Sequence, residues 1–193
     1  DIWDSLLIRW PTDMLALRLQ HFRLFNRGRL DSMLNSVTRS IDAWGDAPRR
    51  TYLSGMEAFA HEELGHYDTA EQLGRAATEA DPDDLWSVHS VAHVLEMQGR
   101  GEDGLDWFDG RADALHSSGS FARHLWWHHA IIYLRTEKYD RMLELYDTEI
   151  QPGDATDGLS LTNAIDLLAR LEYAGVDVGD RWDPLLDGAS ARL

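Results

Sequence analysis

The sequence predicts an all-α protein, about five antiparallel helix pairs stacked as an α-solenoid in a single array over residues 1–193. Three observations carry this prediction. The five prolines stand at 11, 48, 82, 152 and 184, spaced by 37, 34, 70 and 32 residues, and 70 is two periods of 35. Turn motifs with glycine or a small residue recur on nearly the same period. No segment alternates apolar and polar residues with period two over a convincing length, so no strand is expected. A repeat of this length marks units that bury an apolar face only by stacking on their neighbours.

The turn between the two helices of each unit anchors the register. Gly65-His66-Tyr67-Asp68-Thr69-Ala70 has the small-x-aromatic-x-x-small spacing of a tetratricopeptide turn. Gly99-Arg100-Gly101-Glu102-Asp103-Gly104 repeats it 34 residues later, and Glu137-Lys138-Tyr139 is a degraded copy 38 further on. Gly28 and Gly175 hold the corresponding places upstream and downstream. Glycine suits such turns because it accepts positive φ where a helix must stop. Inner helices then fall near 12–27, 49–64, 83–98, 120–136 and 158–174, and outer helices near 29–43, 67–80, 102–115 and 138–150. Asp81-Pro82-Asp83 reads as a helix start, with Pro in the first turn and acids at the positive dipole end. Ser117-Ser118-Gly119-Ser120 is the loosest link and accounts for the longer spacing there. Residues 2–10 read as the tail of an earlier outer helix and Asp183-Pro184 as the start of a last one. The expectation is therefore a piece of a longer array, or one capped by a partner.

Charge narrows the partners. The chain carries 18 basic and 34 acidic residues, a net −16. Residues 1–50 hold eight Arg against six acids, a net +2, so the other 143 residues carry −18. A surface this acidic repels nucleic-acid phosphates and anionic lipid, and neither is an expected partner. There is no Cys, which excludes disulfides, thiolate catalysis and Cys-ligated zinc. No apolar run approaches the roughly 20 residues of a membrane span, and the expected location is cytoplasmic. The bias to Arg over Lys, 17 to one, and to Asp over Glu suggests a GC-rich or salt-adapted bacterial source.

In tetratricopeptide arrays the groove is lined by inner-helix positions 2, 5, 9, 12 and 13, counting the turn glycine as 15. In the third unit these are Trp86, His89, His93, Glu96 and Met97. His89 and His93 are i and i+4, on one helix face, and Glu96 continues the stripe at i+7. In the fourth unit His124 holds position 2 and Trp127 position 5, with His128 one turn below His124. Two H-x-x-x-H pairs on adjacent inner helices could converge on one metal ion, with Glu96 as ligand or general base. An imidazole–carboxylate set would suit zinc, iron, nickel or copper. The simpler reading is that these His and Trp side chains pack the helix seam, each imidazole satisfied by a backbone or hydroxyl group. His128 aligns with Ser90 rather than with a histidine, which staggers the two pairs. Trp126 is expected in the core, and Trp86 and Trp127 could form an aromatic wall able to hold an apolar or cationic group.

Other patterns are rejected. Gly99-x-Gly101-x-x-Gly104 matches a dinucleotide fingerprint as a string, but it follows a helix and the repeat turn explains it. His61-Glu62-Glu63-Leu64-Gly65-His66 has one residue too many for a zinc-protease signature. At i+5 on a helix its histidines would point about 140° apart, and Gly65 ends the helix between them. His116 reads as a lone loop histidine, and no Ser has a nucleophile elbow around it.

The segment Trp86-Ser87-Val88-His89-Ser90-Val91-Ala92-His93-Val94-Leu95-Glu96-Met97 closely resembles the tetratricopeptide repeat protein 38 family. So do Pro11 to Leu17, His124 to His128, Leu145 to Ile150 and Gly175 to Trp182, a likeness covering Pro11 to Trp182. The resemblance implies a helical-repeat fold found in bacteria and animals, in family members considerably longer than this chain. It brings no catalytic residues with it.

The reading that follows is a helical-repeat binding module, its inner groove using Trp86, His89, His93, Glu96, His124, Trp127 and His128 to hold a peptide, a partner protein or a small molecule. No cofactor is expected. The alternative is a metal-dependent or His/Glu-based enzyme with its site on the third and fourth inner helices. The concentration of ionisable residues on those two helices favours a localised site, since the other inner helices carry mainly Phe22, Tyr52 and Phe59.

Overall fold

A computed structural model describes residues 2–47, 50–116, 119–151 and 158–190, and among these it is helical with no strand. The inner helices are α2 (Met14–Phe25), α4 (Thr51–Glu63), α6 (Leu85–Met97), α9 (Gly119–Arg135) and α11 (Gly158–Tyr173). The outer ones are α3 (Leu30–Trp44), α5 (Tyr67–Ala80), α7 (Gly101–Asp109) with the short α8 (Ala112–Leu115), and α10 (Tyr139–Leu145). Among the described residues α1 (Ile2–Arg9) comes first and α12 (Asp183–Ser190) last, where the flanking helices are expected.

Five turns share one geometry. Gly28, Gly65, Gly99, Glu137 and Gly175 have φ of 62°, 78°, 69°, 56° and 83°. The next residue in each donates its backbone N–H to the carbonyl five residues back: Arg29 to Leu24, His66 to His61, Arg100 to Leu95, Lys138 to Tyr133 and Val176 to Leu171. These bonds, 2.9–3.0 Å long, satisfy carbonyls that a helix end would leave unpaired. Glu137 is the only described non-glycine residue at positive φ, so the degraded copy of the turn keeps the geometry at some cost.

The structure departs from the sequence reading at three places. Asp81-Pro82-Asp83 is a turn rather than the start of α6, which begins at Leu85. Asp84 caps it instead: the carboxylate accepts from the Trp86 backbone N–H at 3.1 Å and from the Ser87 hydroxyl. The third outer helix breaks at Gly110. The fourth ends in a π-helical segment, Tyr146–Ile150, which buries Tyr146 and Ile150. Of the loose link, Ser117 and Ser118 lie outside the described residues, as do Pro48 and Pro152.

The chain divides into two compact units, Asp1–Val94 and Leu95–Leu193, with the division inside α6. In the first, α2 packs on α3, α3 on α4 and α4 on α5, around Leu17, Met33, Val37, Leu53 and Met56. Helix α5 offers small buried residues, Ala70, Gly74 and Ala77, on one face. A Cβ at Gly74 would stand 2.6 Å from Val91 Cγ2, so only glycine permits this approach. In the second unit α9 is the centre, contacting α7, α8, α10 and α11. Gly104 plays the same role there, since its Cβ would meet Ile132 Cδ1 at 2.5 Å.

Relieving the left-handed turn and crowding the close approach should move stability in opposite directions. Glu137→Gly is expected to stabilise by about 1 kcal/mol, because a side chain in this region costs roughly that much. Gly74→Val should destabilise by about 1–3 kcal/mol through overpacking. Thermal unfolding checks both, at about 2–4 °C per kcal/mol for a chain of this size.

Candidate functional site

The seven candidate groove residues lie on inner helices, Trp86, His89, His93 and Glu96 on α6 and His124, Trp127 and His128 on α9. In the first unit, α6 carries Trp86, His89 and His93. His93 Nε2 lies 3.0 Å from His89 Nε2. On its other side, His93 Nδ1 is 3.3 Å from Glu62 Oε2 of α4, an ion-pair distance whose geometry falls outside that of a hydrogen bond. Phe59 of α4 fills the space between, its ring 4.8 Å from Trp86, 5.5 Å from His89 and 5.6 Å from His93. Trp86 and His89 are buried and His93 is half-buried.

The second unit repeats the pattern with different neighbours. His128 Nε2 lies 3.2 Å from His124 Nε2. His128 Nδ1 lies 3.0 Å from Glu96 Oε2, on the last turn of α6. Asn163 Nδ2 of α11 is 3.2 Å from His124 Nδ1. One assignment of protons satisfies the whole chain. Asn163 donates to His124 Nδ1, His124 donates from Nε2 to His128 Nε2, and His128 donates from Nδ1 to the Glu96 carboxylate. Trp127 stacks on His124, rings 5.4 Å apart and 9° from parallel, and its indole N–H donates to Asp166 Oδ2 at 3.0 Å. Asp166 in turn accepts from Arg170 Nε at 2.7 Å. His128 is buried; Glu96, His124 and Trp127 are half-buried.

The two sets are built on one plan with a stagger. Glu62 and Glu96 both stand three residues before a turn glycine, so the repeat places both carboxylates alike. His93 stands six residues before Gly99, whereas His128 stands nine before Glu137. The imidazole pair of the second unit thus sits three residues, almost one helical turn, further from its own turn. The imidazoles of each set pair with each other and with a carboxylate. In the first unit Glu62, Glu63 and His93 bring ligand atoms within 4.8 Å of one another, a spacing that a metal ion could bridge. Burial and the neighbouring Glu62 raise the pKa of the Glu63 carboxyl.

Several residues of these sets were not singled out from sequence. Arg18, on α2, lays its guanidinium 3.6 Å from the Trp86 ring centroid. Its Nη1 is buried with no partner among the described residues, and burial lowers its pKa. Arg18 holds groove position 5 when Gly28 is counted as 15, so the same rule that picks His89 would have found it. Glu62 and Asn163 are polar residues that reach a histidine from the neighbouring inner helix. His61 and His66, rejected as a pair, do meet, with Nδ1 atoms 3.2 Å apart. They meet because the chain reverses at Gly65, whose φ is 78°. His116 is not alone either: its Nδ1 lies 2.7 Å from the Ala112 carbonyl and its ring packs against Trp126.

Two further histidines are buried in the core. His21 is fully buried, neither ring nitrogen has a partner among the described residues, and burial followed by the Arg18 charge lowers its pKa to about 3. His129 stacks between Phe108 and Tyr133, and burial followed by Arg141 lowers its pKa to about 4.

No protein-family model matches the chain. Among solved structures it is similar to a Podosopora anserina protein of kinesin light chain type with nearly identical TPR-like repeats. The TM-score is 0.65 at 14% identity, over 94% of this chain and 95% of that one. The likeness establishes a tetratricopeptide-like helical-repeat fold. No helix of the described residues is long and apolar enough to cross a membrane.

Both core histidines have native pKa values below the 6.5 of an unfolded chain. The unfolded state therefore takes up their protons first, and stability is full above about pH 6.5 and lost as pH falls toward 4 and 3. At pH 5 each should cost roughly 2 kcal/mol, at about 1.4 kcal/mol per pH unit. Urea unfolding at pH 8 and pH 5 measures this. His21→Leu should remove about half of the acid-induced loss, and an unchanged loss would contradict the assignment.

Proposed function

We propose that the chain is a helical-repeat binding module that holds an extended peptide segment of a partner protein on its inner helices. In the first unit the contacts are Trp86, His89 and His93, with Arg18. In the second they are Glu96, His124, Trp127 and His128. The observation that carries this reading is the oriented chain of hydrogen bonds from Asn163 through His124 and His128 to Glu96. Such a chain holds half-buried polar groups in one orientation before a ligand arrives, which lowers the cost of binding. Trp127 beside it adds rigid apolar area of the kind that dominates binding energy. Exposed apolar side chains at groove positions of α2 and α4, Leu15, Phe22 and Tyr52, suit the alternating apolar contacts of a peptide. The resemblance to the tetratricopeptide repeat protein 38 family agrees with a repeat module and adds no chemistry.

A specific observation favours a second reading, metal binding. Two imidazole nitrogens on a tetrahedral ion at about 2.0–2.1 Å stand about 3.3 Å apart. The Nε2 pairs stand 3.0 and 3.2 Å apart. Each pair has a carboxylate on the Nδ1 side of one ring, as second-shell groups that orient metal-binding histidines do.

Panning a random peptide display library against the chain separates the readings. Enriched peptides should bind the native protein and lose about tenfold or more in affinity to His128→Ala and Trp127→Ala. The exposed substitution Arg135→Ala should leave them unchanged. Enrichment that ignores both site variants would overturn the peptide reading. Metal analysis of untagged protein tests the other reading. Bound zinc or nickel should be lost on His93→Ala, and the metal should raise the melting temperature of stripped protein, because a ligand of the native state stabilises it.

A further inference from the structure

A cavity of about 450 Å³ lies wholly in the first unit, between α2 and α3 and beside α1. Four arginines line it, Arg23, Arg27, Arg29 and Arg39, against a single acid, Asp4. Asp4 is already taken, since Arg39 donates to its carboxylate. The lining thus carries a net +3 in a chain of net −16.

Several arginines outside the cavity have taken up a carboxylate. Arg75, Arg100, Arg141, Arg170 and Arg181 each sit on a carboxylate of Glu71, Asp103, Glu144, Asp166 and Asp147. Arg27 and Arg29 pair with no carboxylate among the described residues, although acids outnumber bases almost two to one; Arg29 donates to the Ser32 hydroxyl at 3.3 Å. Like charges crowded on one cavity repel each other, and an anion between them removes that cost and accepts several charge-assisted hydrogen bonds. Helix α3 adds to the field, for its N-terminal turn opens at Arg29 with no side-chain cap.

A bare anion does not complete the site. Gln20 lines the same cavity, is 2% exposed, and its Oε1 has no hydrogen-bond partner among the described residues. A buried carbonyl of this kind asks for a donor, and the phosphate oxygens that face the guanidiniums act as acceptors. A hydroxyl supplies it. If the amide were turned over, its N–H would go to the phosphate of the same ligand.

We infer that this cavity is a binding site for a small phosphorylated polyol: the phosphate lies among Arg23, Arg27 and Arg29, and a ligand hydroxyl donates to Gln20. The volume suits a ligand of that size. The site is independent of the histidine sets, so its failure leaves the proposed function untouched.

Calorimetric titration of the whole chain at low salt tests it, with glucose 6-phosphate, glycerol 3-phosphate, inorganic phosphate and glucose as probes. One of the two phosphate esters should bind at one equivalent and about tenfold or more tighter than inorganic phosphate, and glucose should not bind. Arg27→Gln and Arg29→Gln are exposed substitutions that leave the fold intact, and each should weaken the ester about tenfold. Gln20→Leu should retain phosphate binding and reduce the preference for the ester. Three results would overturn the inference: no binding of either ester at 10 mM, binding unmoved by both arginine variants, or an ester held no tighter than inorganic phosphate.

Discussion

The fold depends on one left-handed residue between the helices of each pair. At Gly28, Gly65, Gly99, Glu137 and Gly175 the positive φ turns the chain back, and the following N–H closes onto the carbonyl five residues earlier. That closure fixes where the inner helix stops, and hence which of its side chains lie on each face. Glu62 and Glu96 stand three residues before two of these turns, and Glu172 before a third. Glu62 and Glu96 meet an imidazole, while Glu172 accepts from the Trp182 indole N–H. A single backbone device, repeated, thus supplies a carboxylate at a constant height along the inner helices.

What the carboxylate meets is set by the next inner helix, and there the repeats diverge. The longer fourth inner helix moves its histidines down by nearly a turn, yet His128 still reaches Glu96 because imidazole and carboxylate can meet over more than one register. The bonded chain from Asn163 to Glu96 then uses every ring nitrogen of His124 and His128. Half-buried polar groups are costly when partly satisfied and rigidifying when fully satisfied, and this set is fully satisfied. Rigidity of this kind suits recognition, and the same Nε2 pairs have the spacing a metal needs.

Much of the architecture was legible in the sequence because it is written locally. Turn glycines, the order of inner and outer helices and the flanking helices follow from spacing alone. So does the set of groove positions, to which Arg18 belongs, whereas its place over Trp86 does not show in the sequence. The start of α6 lies beyond Asp81-Pro82-Asp83 because Asp84 caps the helix, through hydrogen bonds that spacing does not reveal. The break at Gly110 and the π-helical end of the fourth outer helix answer to packing. The partners of the histidines were not legible. Glu62 is 31 residues from His93 and Asn163 is 39 from His124, and no local period reports a side-chain meeting over that distance. The burial of His21 was equally hidden, because an amphipathic pattern does not distinguish a buried imidazole from one at the seam.

The central claim is that a turn-anchored carboxylate on one inner helix sets the proton position of a histidine on the next. Long-range nitrogen–proton NMR of the imidazoles at pH 8 reads this directly. The account predicts His128 protonated at Nδ1 and bare at Nε2, His124 protonated at Nε2, and His128 losing its single tautomer in Glu96→Gln. His128 protonated at Nε2 in the native protein, or a tautomer unmoved by that substitution, would contradict it.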